Sequence, residues 1–572
     1  MRVAGRPVIT ASTAEQAAES LGPESALLAD LDPALWGQIL MQVAVSTARH
    51  PVALARLSTR YASDVALGMF AAAARTMGVM VTGPLPTRAD RRFKDAAWEQ
   101  NALFYALRQQ HLALSRLLDG LVGAAGLEPA AHNRAALVTG LIADVLAPTN
   151  FLLTNPDALK RAFETGGQSV LRGMRNFLDD LAHNHGRPRQ VDTSPFELGE
   201  NLAATPGRIV LRNDLMELIQ YEPQTAQVYS VPLLCSPPWI NKYYVMDLAP
   251  GRSFVEWAVQ HGHTVFMISY RNPDASMSDT TMDDYLVHGP RAALDAVREI
   301  TGSDRVNVVG LCLGGALTAI LVAYLKKVGD DAINSITLLN TLLDYTDPGP
   351  LGCFTDPEII RRLEVKMRRR GYLDAEEMAG TFDILRANDL IFNYVVSNWL
   401  KGEDPPVFDI LAWNSDSTRM PAAMHSFYLR RFYLSNDLAR GELEICGQRL
   451  DLGEVDADTF IVAAENDHIA PWRGSHRSTQ LLGGTVRFVL TNSGHIAGIV
   501  NPPSAKARHW TGLDTEPDPE RWRAEANQID ETWWETWATW IGEHGGEVRS
   551  PPPMGSTRHP AGDRAPGAYV RG

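Results

Sequence analysis

The sequence predicts an α/β protein in which a mostly parallel sheet is covered by helices and preceded by a separate helical domain. Three observations carry this. From Arg208 onward, short continuous apolar runs alternate with helix-patterned stretches, as expected of strands buried on both faces. Between Ala26 and about Arg187, apolar residues instead recur at helical steps. At Val306–Thr318 a β-branched run enters a small-residue corner and leaves it as a helix.

Residues 1–25 are rich in Ala, Ser and Gly and read as a flexible N-terminus. Residues 26–205 read as the helical domain. Phe93, Trp98, Leu103, Leu107, Leu114 and Leu118 fall near one or two helical turns apart, with Asp90 placed to cap. Thr154 or Asn155 is placed to cap a helix running through Phe163. Residues 206–543 read as the catalytic domain. Arg208–Leu211 and Leu215–Tyr221 are expected as antiparallel edge strands. Val231–Cys235, Thr264–Ile268, Val306–Val309, Ile333–Leu339, Thr459–Ala463 and Val486–Leu490 are expected as core strands. Arg252–His261 and Asp283–Thr301 are expected as helices. The alternation stops at about 345–440, a charged, aromatic and helical stretch that reads as a lid inserted over the sheet's carboxyl edge. Trp533, Trp537 and Trp540 share one helix face and should pack on the core. Residues 544–572, rich in Pro, Gly and Arg, read as an extended C-terminal tail.

A length of 572 residues allows more than one core. The net charge of −14 argues against nucleic acid as a partner. Cys235, Cys312, Cys353 and Cys446 lack disulfide-framework or zinc spacing, which fits a cytoplasmic protein with no metal site. No signal-peptide pattern opens the chain, and no apolar run reaches transmembrane length; the best, Ala135–Leu146, contains Asp144.

The corner Gly310-Leu311-Cys312-Leu313-Gly314 has the strand–turn–helix context of a nucleophile elbow, with Cys where Ser is usual. A helix start beside the sulfur favours a thiolate. Taken alone, the motif reads more simply as a buried Cys in a Gly-rich turn. Two later loops change that, because a thiol nucleophile needs a base and the base an orienting carboxylate. Asn466-Asp467-His468 follows one core strand, and Ser493-Gly494-His495 follows the next. Cys312, Asp467 and His495 thus stand in the order nucleophile, acid, base. Asp344 is a rival acid, and His468 a rival base that adjoins Asp467 too closely to pair with it. His468 reads better as a pocket wall. The oxyanion hole is expected at the Leu313 N–H and at a second N–H after the Val231 strand. There Pro237 and Pro238 have no donor, leaving Trp239 or Ile240; Ile240 is preferred.

The chain resembles the polyhydroxyalkanoate synthases, bacterial polyester polymerases of the α/β-hydrolase fold. The matching blocks include Asp90-Arg91-Arg92-Phe93, Pro237-Pro238-Trp239-Ile240-Asn241-Lys242-Tyr243-Tyr244 and Ser269-Tyr270-Arg271-Asn272-Pro273. They continue with Gly310-Leu311-Cys312-Leu313-Gly314-Gly315, Asn466-Asp467-His468-Ile469-Ala470-Pro471-Trp472 and Ser493-Gly494-His495-Ile496-Ala497-Gly498. The resemblance implies a Cys312–Asp467–His495 triad that polymerises (R)-3-hydroxyacyl-CoA and releases CoA. It implies no cofactor, since the CoA thioester is the substrate. It places His468, Trp413 and Asn241 at the substrate. It also implies a homodimer, cytoplasmic and attached to the polymer granule, with the helical N-terminal part serving both contacts. The length suggests a one-subunit class I or II type. Pro405–Leu411 looks like the medium-chain class and His495–Gly498 like the short-chain class; the expectation is 3-hydroxybutyryl-CoA. The alternatives are a medium-chain polymerase, a thioesterase or depolymerase on the same scaffold, and a non-catalytic granule coat.

Overall fold

The computed structural model of the chain describes residues 33–85, 90–513 and 516–572. The expected flexible segment 1–25 lies outside them. The described chain forms two compact units. One holds the residues up to Asp192 together with Ala379–Val407; the other holds Thr193–Met378 and Phe408–Gly572.

The first unit is helical. Its long helices are Pro33–Ala48, Pro51–Thr76, Ala102–Ala124, Pro129–Val145 and Gln168–His183. Three begin with proline, whose fixed φ suits a first turn and whose missing N–H has no helical partner there. Ile39, Val43, Val122, Ala125, Ala135 and Val138 form a common buried cluster. Asn155 caps the helix from Pro156, accepting the Asp157 and Ala158 N–H groups. Asp90 caps only a 3₁₀ turn, Arg91–Phe93. Residues 379–407, expected in the lid, group with this unit instead.

The second unit is built on a ten-stranded sheet. We number its strands β1 Gly207–Arg212, β2 Met216–Tyr221, β3 Leu233–Ser236, β4 Val265–Tyr270, β5 Val306–Leu311 and β6 Ile333–Leu339. The remainder are β7 Asp458–Ala464, β8 Val486–Thr491, β9 His509–Thr511 and β10 Asn527–Ile529. The spatial order is β1-β2-β4-β3-β5-β6-β7-β8-β9-β10. From β4 to β8 neighbours are parallel. The outer pairs on both sides are antiparallel. β5 is buried along its whole length, which is why its sequence is a continuous run rather than an alternation. The parallel strands end together, so the loops after β3, β5, β6, β7 and β8 share one edge of the sheet.

Two expectations need correction. Asp283–Thr301 is not one helix. Gly289 has φ −96° and ψ −111°, and Pro290 follows, so Met282–Leu286 and Ala292–Thr301 meet across a kink. Residues 544–572 have little regular structure but are fastened to this unit. Glu217 accepts the Ala568 and Tyr569 N–H groups at 2.9 and 3.0 Å, and the Lys242 ammonium donates to the Val570 carbonyl at 2.6 Å. These backbone and single side-chain ties leave no periodic pattern in the sequence.

The tryptophan helix, Trp533–Glu543, lies on the core as expected. Trp533 and Trp537 are fully buried, and the Trp537 indole N–H donates to Thr337 Oγ1 on β6 at 3.0 Å. Trp537→Ala should therefore cost about 3–5 kcal/mol of unfolding free energy, from lost burial plus a cavity. Urea denaturation of the variant checks this.

Candidate active site

The elbow is built by close approach of backbone. Cys312 ends β5 with φ 52° and ψ −117°, and the helix Leu313–Val328 starts at the next residue. A non-glycine residue held there costs on the order of 1–3 kcal/mol, so its surroundings must enforce it. They do. The Cys312 N–H donates to the Leu339 carbonyl at the end of β6, at 2.8 Å. Its carbonyl accepts the Gly315 and Ala316 N–H groups at 3.0 and 3.2 Å. A side chain on Gly314 would collide with the Ser236 and Pro237 carbonyls, and one on Gly315 with the Thr341 side chain. Those glycines let the helix start press against the loops after β3 and β6.

The expected base and acid arrive from β8 and β7. The His495 ring is buried, and its Nδ1 lies 2.6 Å from Asp467 Oδ2. Asp467 Oδ1 accepts the Ile469 and Ala470 N–H groups at 2.8 and 2.9 Å. That grip fixes the carboxylate and leaves its other oxygen for the imidazole. The His495 carbonyl in turn accepts from the Asn340 amide after β6. With Nδ1 held by Asp467, Nε2 faces the Cys312 thiol, which hydrogen-bonds the ring. Burial disfavours the imidazolium, but the negative partners Asp467 and Cys312 outweigh it and hold the His495 pKa well above the ordinary imidazole value.

The rival acid is engaged elsewhere. Asp344 Oδ1 accepts from the Thr346 backbone N–H and the Asn436 amide, both at 2.8 Å, and Oδ2 lies 3.1 Å from Arg477 Nε. Burial pushes its carboxyl up, but these hydrogen bonds and the Arg477 charge leave it below the usual range. His468 is half-buried and follows Asp467 directly, whose Oδ2 is taken by His495.

The expected second oxyanion donor, Ile240, lies on the loop that Gly314 touches. Leu313 opens a helix, where the first amides have no intrahelical acceptor. Ile240 is half-buried and follows the buried Trp239. Its loop is braced on both sides. Asn241 has φ 62°, and its N–H donates to Thr418 Oγ1 at 2.8 Å. The Lys242 carbonyl accepts the Trp413 indole N–H at 2.7 Å, and the Lys242 ammonium lies 2.8 Å from Asp416. Trp413 is 4% exposed, so it supports the loop from beneath. Asn241 likewise uses its amide for the brace.

Sequence reasoning missed two features. Asn340, with φ 43°, anchors the His495 loop. Tyr345, Tyr428 and Tyr433 lie close enough to the Cys312 sulfur to interact with it electrostatically. The dense aromatic run Phe427-Tyr428 … Phe432-Tyr433 was the available signal.

Comparison with known proteins fits this geometry. Residues 89–258 match the family model described as "Poly-beta-hydroxybutyrate polymerase (PhaC) N-terminus", and 246–502 match "alpha/beta hydrolase fold". The Rhizobium meliloti poly(3-hydroxyalkanoate) polymerase subunit PhaC is 43% identical over 488 residues, covering 85% of this chain and 80% of that one. The chain belongs to the poly(3-hydroxyalkanoate) polymerase family. Poly(3-hydroxyalkanoate) polymerase 1 of Ectopseudomonas oleovorans is 42% identical, covering 85% of this chain and 87% of that one. The Cupriavidus necator polymerase subunit is 40% identical, covering 91% of this chain and 89% of that one. The N-terminal family match spans the loop after β3, and the hydrolase-fold match takes in the elbow, Asp467 and His495.

Two carboxylates at one sheet edge make a direct comparison. Asp467→Asn should lower turnover by about two orders of magnitude or more, because the imidazole loses its orienting anion. Asp344→Asn should leave turnover within a few-fold. In Asp467→Asn the His495 pKa falls, so the imidazole draws the Cys312 proton less strongly. Alkylation of Cys312 by iodoacetamide should then slow at pH 7 and recover above about pH 8.5, where a thiol ionises unaided.

Proposed function

We propose that this chain polymerises (R)-3-hydroxyacyl-CoA, with 3-hydroxybutyryl-CoA as its preferred monomer, through an acyl-Cys312 intermediate and with release of CoA. The observation that carries the proposal is the hydrogen-bonded line from Asp467 through His495 to the Cys312 thiol, in a chain of this family. His495 Nε2 takes the thiol proton. The thiolate attacks the thioester carbonyl, and the oxyanion is held by the Leu313 and Ile240 N–H groups. The carbon–sulfur bond to CoA breaks, and the CoA thiolate takes the proton back from His495. A hydroxyl, of a second monomer or of the chain end, then gives its proton to His495. Its oxygen attacks the acyl-cysteine, the bond to Cys312 breaks, and an ester remains. Asp467 stabilises the imidazolium in both halves. No resident cofactor is needed, because the thioester supplies the activated acyl group.

Cys suits this use. Exchange of one thioester for another is nearly isoenergetic, so an acyl-enzyme persists while a hydroxyl competes with water. His468 fits as a wall beside the triad, while Trp413 and Asn241 act on the substrate through the loop they hold.

The helical unit fits attachment to the polymer surface and pairing of two copies. Its exposed apolar residues include Phe70, Met77, Met80, Leu153, Phe163 and Leu171. Exposed apolar side chains are what contact with an apolar polymer surface would use. Among the described residues no helix is long and apolar enough to cross a membrane. We place the enzyme in the cytoplasm, on its granule.

Cys312→Ala should release no CoA above background from 3-hydroxybutyryl-CoA. Cys312→Ser should lose most activity, because an alkoxide is harder to generate than a thiolate. Product analysis separates polymerase from hydrolase: insoluble polyester with CoA supports the proposal, and soluble hydroxy acid with CoA overturns it. A panel of graded chain lengths tests the monomer preference.

A further inference from the structure

We infer that the phenols of Tyr428 and Tyr433 recognise the oxygen on carbon 3 of the acyl group carried by Cys312, selecting 3-hydroxyacyl over plain acyl thioesters. This rests on the polymerase reading and gives its specificity a location.

Neither residue belongs to the triad or the oxyanion loop, yet both lie within electrostatic reach of the sulfur. With Tyr345 they form one cluster. Ring centroids are 4.9 Å apart for Tyr345 and Tyr433, 5.3 Å for Tyr428 and Tyr433, and 6.2 Å for Tyr345 and Tyr428. The Tyr428 hydroxyl donates to the Tyr433 oxygen at 3.4 Å. A phenol that accepts one bond still has its own proton to donate. Tyr428 is 6% exposed, whereas Tyr433 and Cys312 both retain partial access. Tyr433 is therefore the phenol that keeps a proton to give and is the more accessible of the two.

The pair is held in place. Tyr433 lies in the π-helical segment Leu429–Leu434, a form concentrated at functional sites. Two residues beyond that segment, Asn436 (φ 52°) accepts the Tyr345 N–H at 2.9 Å and donates to Asp344 at 2.8 Å. Asp344 is anchored by Arg477. On the other side Trp239, beside the oxyanion loop, meets Tyr428 edge-on at 6.0 Å. The cluster is thus tied to the loops after β3 and β6.

The chemistry fits a neutral donor. Burial raises all three phenols, Tyr345 and Tyr428 well above the ordinary value, so they stay protonated. Carbon 3 is two bonds from the carbonyl carbon that the sulfur attacks. An oxygen there, hydroxyl in a monomer or ester in a chain, accepts a hydrogen bond; a plain acyl group offers no such acceptor. A site built to pair a substrate oxygen discriminates strongly against the analogue that lacks it, because its own polar group is then left unpaired.

The test is single-turnover CoA release by the full chain from 3-hydroxybutyryl-CoA and from butyryl-CoA. In Tyr433→Phe the ratio of the two rates should fall ~10–100-fold, the loss coming from the hydroxyacyl arm. Tyr428→Phe should lower the ratio in the same direction and by less, and it decides alone if Tyr433→Phe fails to fold. A ratio within twofold of the parent value in the folded variants overturns the inference. Equal loss on both substrates also overturns it, since that would mark a packing role. The polymerase reading fails separately, if the unsubstituted protein releases CoA from neither thioester.

Discussion

The structure depends on how closely the start of one helix can press against two loops. Gly314 meets the Ser236–Pro237 backbone, and Gly315 meets Thr341. These contacts position three loops at once: the elbow after β5, the Ile240 loop after β3 and the turn after β6. Cys312 accepts a strained backbone in exchange, at a cost that packing must offset. The helix behind it supplies that packing, since Leu317, Ile320, Leu321 and Leu325 are essentially inaccessible. Each such side chain contributes roughly 1.5–3 kcal/mol on burial, enough to outweigh the strain. Replacing either glycine would lift the helix off the loops and separate the amides from the sulfur.

The strands were legible because each is a continuous apolar run, and a parallel sheet covered on both faces requires that pattern. The elbow was legible because its glycines are a local necessity. The choice of acid was not. Asp344 and Asp467 both follow core strands, and β6 and β7 are adjacent, so both carboxylates stand at the same edge. What separates them is Arg477, which claims Asp344, and the Ile469 and Ala470 amides, which orient Asp467 toward His495. No strand pattern encodes either contact. The unit boundary was hidden for a related reason. Residues 379–407 are as helical and apolar as the rest of the expected lid, and only their packing assigns them to the helical unit.

The C-terminal segment makes the same point from the opposite side. Pro- and Gly-rich composition predicts little helix or strand, and little is present. It does not predict looseness, because backbone N–H and C=O groups need partners whatever the side chains are. Here Glu217, Lys242 and Ile209 supply them. Lys242 gives these ties a functional reach. Its ammonium holds the segment and Asp416, while its carbonyl holds Trp413, two residues beyond Ile240.

A transferase built on a hydrolase sheet must keep water from taking the acyl group. The catalytic line itself offers no such protection, since an imidazole that activates a hydroxyl activates water equally well. Discrimination has to come from what surrounds the sulfur. Around Cys312 the surroundings are aromatic: Tyr345, Tyr428 and Tyr433, with Phe432 and Trp239 packed against them. Their faces offer a water molecule few partners, and the Tyr428 hydroxyl is already paired with Tyr433. Such a wall leaves the incoming hydroxyl group better bound than a water molecule, and holding it near the acyl carbon raises its effective concentration by orders of magnitude. If Cys312, Asp467 and His495 act as proposed, transfer rather than hydrolysis would follow from the aromatic surroundings of the sulfur.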